Sequence, residues 1–176
     1  MLGYHISALR RILRPLLFGS RWGIAGSVYG TIVVMGTLTA GSAAGGLRAW
    51  NLAVVTAGTV VVLWLAHVYA HSLGESLDLE RTITRREFTH IARRESAIPL
   101  AAVAPLAMLA LGALGVIRES RSVWVALAIG VITLAAQGLR YARAERLGRT
   151  GTIVAIAGNT ALGLAIVAMK AVLVLH

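Results

Sequence analysis

The sequence predicts an all-α membrane protein. Its expected form is a polytopic bundle of five transmembrane helices, N-terminus cytoplasmic, with a short amphipathic cytoplasmic helix between spans 2 and 3. Three observations predict it. Five apolar runs recur, each close to the roughly 20 residues that carry a helix across a bilayer. Basic residues gather on alternate connections between those runs. Of 176 residues, 57% are hydrophobic and 14% charged, with mean hydropathy +0.78, a balance foreign to a soluble domain of this size. There is no cysteine, so disulfides and thiolate metal sites are excluded. The net charge of +10 sits between apolar runs, which points to anionic lipid headgroups and away from nucleic acid.

Residues 1–23 form a basic N-terminal segment. Leu2, Ile6, Leu9, Leu13, Leu16 and Leu17 recur at helical spacing among Arg10, Arg11 and Arg14, with no acid. This pattern suits an interfacial amphipathic helix, and equally a basic tail that sets topology; composition alone also admits a transit peptide. Residues 24–176 are the transmembrane domain. Its spans are expected at Ile24–Gly46, Leu52–Leu73, Ala97–Ile117, Val123–Leu139 and Thr152–Leu175. Thirteen arginines fall before span 1 or in the connections 2–3 and 4–5; only Arg48, Arg118 and Arg121 fall on the other side. That asymmetry makes the arginine-rich side cytoplasmic, in a plasma membrane crossed several times. Trp22, Trp50 and Trp124 fall at span ends, where indoles anchor to headgroups.

Small residues mark close helix approach. Gly26 and Gly30 have GxxxG spacing and stand either at an oligomer interface or in packing within the bundle. Pro99 and Pro105 invite a kink in span 3, although Pro99 also suits an early helical turn. In the connection 74–96, Thr84-Arg85-Arg86-Glu87 has capping-box spacing, and Phe88, Ile91 and Ala92 form an apolar stripe. Glu87 and His90 share a face, but the crowd of arginines makes a solvated charged surface the better reading than a metal pair. Lys170, alone in the outer half of span 5, is expected to snorkel outward.

The chemistry concentrates in Trp64–Glu75. His67 and His71, spaced i and i+4, project from one helix face, with Glu75 a further turn on. At 1.5 Å per residue His67 lies ~9 Å and Asn159 ~10 Å inside the cytoplasmic boundary, with Tyr29 near that level and Gln137 shallower. Ionisable groups at such depth face protein or a hydrated cavity. Imidazole with carboxylate is a donor set for iron(II), zinc, manganese or nickel. The same rings titrate near neutrality, so a proton relay is equally open, as is a purely structural role. No Walker loop, zincin motif or GxSxG occurs, so no classical enzyme is indicated.

The order of elements resembles the vacuolar iron transporter family: two spans, a charged amphipathic insertion, then three spans, over about Trp22–Leu175. Gly26-Ser27-Val28-Tyr29-Gly30 stands where that family has a glycine-bounded segment ending in Asp-Gly. Tyr29 takes the place of its aspartate, and His67 or His71 that of its second-span glutamate. The resemblance implies a homodimer and proton-coupled export of a divalent metal. Two functional expectations follow. The first is transport of a divalent metal cation or proton through a site of His67, His71 and Glu75, supported by Tyr29, Asn159 and Gln137. The alternative is a non-transporting scaffold, assembly factor or subunit of a larger complex.

Overall fold

A computed structural model describes residues 21–43 and 48–175. The expected amphipathic segment at the N-terminus lies outside the described residues up to position 20. Six helices follow in order: α1 Arg21–Ala43, α2 Ala49–Asp78, α3 Arg85–Arg94, α4 Ala97–Ala113, α5 Glu119–Ala144 and α6 Arg149–Leu175. No strand occurs among the described residues, so the all-α class holds. Among the described residues four helices are long and apolar enough to cross a membrane, and there are up to five crossings if α3 and α4, bent by 44°, form one broken span. Such helices are compatible with an integral, multi-pass membrane protein.

Helix α1 is the centre. It packs against α4, α5, α6 and α2, and buries Thr31, Val34, Met35, Leu38 and Thr39. Helix α2 lies on α4 and α1, while α6 lies on α5 and α1. The outer faces of α2 and α6 are apolar and exposed, as expected of surfaces against acyl chains. Close approach depends on glycine. A Cβ on Gly30 would stand 2.6 Å from the Ile98 carbonyl oxygen, and one on Gly26 3.3 Å from Ala97 Cβ. Both therefore face α4 of their own chain. Of the two roles expected for Gly26 and Gly30, the contacts within the chain are those of packing within the bundle.

Helix ends explain where the expected boundaries moved. Helix α2 runs five residues past Leu73, so His71 and Glu75 stay helical and the connection shortens. Helix α4 stops at Ala113, four residues before the expected end. Gly115 at φ +74° terminates it in a Schellman turn, with Gly115 N–H donating to Gly112 O and Val116 N–H to Leu111 O. Pro105 is buried inside α4, which continues through it, and Pro99 lies in the first turn. The bend lies instead at Glu95–Ser96, between α3 and α4. At α3 the capping box is formed: Glu87 N–H donates to Thr84 Oγ1 at 3.3 Å and Thr84 N–H to Glu87 Oε2 at 2.7 Å. Arg48 gives the N-terminus of α2 no side-chain cap, and Ala49 N–H donates to Glu119 Oε2 at 3.2 Å.

The same terminating turn ends α2 at Glu80 (φ 50°) and α5 at Arg146 (φ 52°), with side chains where glycine is at ease. Arg146→Gly is expected to stabilise the chain by up to about 1 kcal/mol. Gly30→Ala is expected to destabilise it by about 1–3 kcal/mol, because backbone blocks the added methyl. Gly36→Ala, with nothing within 4 Å of its Cβ, is expected to be neutral or stabilising. Unfolding in detergent, followed by circular dichroism, ranks the three.

Candidate functional site

The site is built on the last four turns of α2. Its buried stripe, Val60, Val68 and Ser72, turns His67 and His71 toward α1 and the α3–α4 bend. Each ring is fixed by its own helix. His67 Nδ1 is 3.0 Å from Leu63 O, and His71 Nδ1 is 3.0 Å from His67 O. A carbonyl only accepts, so Nδ1 carries the hydrogen in both rings, and in the neutral form Nε2 keeps its lone pair.

Neighbours extend the pair in both directions. Tyr29 of α1 lies against His67, ring centroids 4.9 Å apart and planes tilted by 46°. The two imidazoles are 6.3 Å apart. Beyond His71, Glu95 Oε1 lies 3.7 Å from its Nδ1 and 3.4 Å from Arg94 Nε. Glu95 is 7% exposed and sits at the bend where α3 gives way to α4. Tyr29, His67, His71 and Glu95 thus form one row of titratable groups drawn from three segments. Ser72 Oγ is buried nearby with its hydrogen-bonding capacity unspent among the described residues.

Glu95 is the member that sequence reasoning missed. It reads as one more acid in a charged connection, and only the 44° bend carries it inward. A signal existed: Glu95 closes the capped helix and stands immediately before an apolar span, where a charge must meet a partner. Glu75 behaves differently. It lines a cavity of about 470 Å³ with His71, Asp78 and Arg94, which His67 does not reach. Among the described residues no three His, Asp or Glu side chains are grouped as a metal ion requires. His67, His71 and Glu75 therefore do not form a ready-made ligand set within one chain.

The expected supporting groups line a second space. Tyr29, Gln137 and Asn159 open onto a groove of about 540 Å³ between α1, α5 and α6. Gln137 is spent on structure: its Nε2 donates to Ser27 Oγ at 2.6 Å, and its Oε1 accepts from Arg140 at 2.9 Å. Asn159 Nδ2 donates to Ala155 O one turn back. Lys170, expected to reach outward, is 6% exposed, with its ammonium 4.4 Å from the Trp124 ring centroid. The indole supplies within the protein what a headgroup supplies at the surface.

Helix α3 holds the bend in place. Trp64 Nε1–H donates to Ala92 O at 3.3 Å, and Ile91 is buried against α2. His90 is exposed, and Glu87 turns to Arg81 through two hydrogen bonds of 2.8 and 3.1 Å. The Arg81 guanidinium, then the Thr84 N–H and hydroxyl, hold the Glu87 carboxyl down at about 2, below its ordinary 4.5. A depressed carboxyl supports the fold above its unfolded pKa and stops doing so as pH falls through its folded one. Hydrogen-exchange protection of the first turn of α3 is therefore expected to be full above pH 4.5 and to fade toward pH 2. Glu87→Gln should lower the protection at neutral pH and remove that dependence.

No protein-family model, no curated protein and no solved structure matches this chain.

Proposed function

We propose that this is a five-span protein of the plasma membrane, N-terminus cytoplasmic, that conducts protons through the row Tyr29, His67, His71 and Glu95. The contact between buried Glu95 and His71 carries the reading. A carboxyl, two imidazoles and a phenol stand in line there, all of them groups able to give up or accept a proton. Their placement on apolar helices is costly unless a hydrated interior serves them. Glu75 and Asp78, in the cavity beside His71, supply acceptor groups at the cytoplasmic mouth. Arginines around that mouth meet anionic headgroups and hold the orientation.

A divalent metal is the second cargo, favoured by the bare Nε2 atoms of His67 and His71. A complete ligand set would then need a donor from a second copy, in keeping with a homodimer of the vacuolar iron transporter kind. A scaffold without transport would keep the row as internal packing.

Proteoliposomes with a trapped pH dye and an imposed potential separate these readings. Proton entry is expected to fall about tenfold or more in His67→Ala/His71→Ala and in Glu95→Gln. Flux untouched by all three changes would leave the scaffold. Loss of iron(II) or zinc entry, with proton entry absent from the wild type, would favour metal.

A further inference from the structure

Helix α3 carries a second cluster of polar groups, outside the titratable row. Arg86, His90 and Arg93 are spaced i, i+4 and i+7, so they stack on one face of α3. With Thr89 and Glu87, and with Glu75 of α2, they line a recess of about 570 Å³. All three basic side chains are exposed. Neighbouring like charges on a helix repel one another, and Arg86, in the first turn, also opposes the helix dipole. An anion in the recess would relieve both.

The protein's own acids do not supply it. The chain has seven, all of them among the described residues. Glu87 borders the recess but is spent on Arg81 and on the Thr84 cap. Glu95 turns to His71 and Arg94. Glu75 lines the recess from α2 without an ion pair to either arginine. Among the described residues the side chains of Arg86, His90 and Arg93 make no hydrogen bond or ion pair. The Thr89 hydroxyl donates to Arg85 O, within its own helix. The recess therefore offers two guanidinium forks and an imidazole N–H, all uncommitted.

Donors of that kind suit an oxyanion with several terminal oxygens. A phosphomonoester carries about −1.5 to −2 charge near pH 7 and has three such oxygens, enough for two forks and a third donor. A phosphodiester has a single charge and fewer terminal oxygens, so one fork satisfies it. We propose that the recess binds a phosphomonoester, borne by a small soluble molecule or by phosphatidic acid in the leaflet on the arginine-rich side. Glu75 opposes the anion and limits its affinity. The proposal does not rest on proton conduction.

Native mass spectrometry of the full chain in detergent tests it, by titration with glycerol 3-phosphate, phosphatidic acid or phosphatidylglycerol, the two lipids of equal chain length. Phosphatidic acid is expected to bind about tenfold more tightly than phosphatidylglycerol. Arg86→Ala/Arg93→Ala should erase that preference. Arg143→Ala/Arg149→Ala, an equal loss of charge at the same end of the molecule, should leave it intact. All four arginines are exposed, so both variants are expected to fold, which circular dichroism checks. Glu75→Gln should tighten binding severalfold. Glycerol 3-phosphate bound as tightly as phosphatidic acid would assign a soluble ligand, and weaker binding would assign the lipid. His67→Ala/His71→Ala should bind as the wild type does, so failure of the conduction reading would not touch this one. Binding of neither monoester, or of phosphatidylglycerol as tightly as phosphatidic acid, would overturn the proposal. So would a preference that survives Arg86→Ala/Arg93→Ala or is lost equally in Arg143→Ala/Arg149→Ala. Binding unmoved by Glu75→Gln would place the phosphate outside the recess and overturn it too.

Discussion

One backbone contact organises the molecule. At Gly30 the absence of a side chain lets α1 lie directly on Ile98 of α4. Tyr29 is the residue before Gly30, and Glu95 lies three residues before Ile98. The same contact that packs the two helices therefore sets the two ends of the titratable row. His67 and His71 come from α2, which lies against both helices. Interiors are close-packed and yield little, so a shift at this crossing would move phenol and carboxylate together.

Polar groups elsewhere in the bundle are used as fasteners. The chain from Ser27 through Gln137 to Arg140 ties α1 to α5. Thr31, Thr37, Thr133 and Thr160 return their hydroxyls to the carbonyl one turn back, the least demanding solution where water is scarce. His67 and His71 use the same device, each Nδ1 turned to the carbonyl one turn back. The row differs in its contacts across segments, Tyr29 against His67 and Glu95 beside His71.

Much of this was legible in the chain. Apolar runs of bilayer length were enough to locate the long helices, because hydropathy depends only on local composition. The capping box at Thr84 and Glu87 was legible for the same reason, being a spacing of three. The histidine face was legible from an interval of four. What could not be read was orientation between helices. Gly26 and Gly30 look the same whether the partner is α4 or another copy. Glu75 and Glu95 look alike as acids, and only the bend between α3 and α4 sends one of them inward. Helix α2 outran its apolar stretch because nothing breaks it before Leu79, so polarity alone was a poor guide to its end.

The hydrogen bond from Ala49 to Glu119 joins residues 70 positions apart. The start of α2 thus borrows its cap from a helix made much later on the ribosome. Until α5 arrives, that end of α2 has backbone donors to satisfy by other means. Closure of the bundle at the arginine-poor end is therefore a late step of biogenesis, one that joins the first helical hairpin to the last.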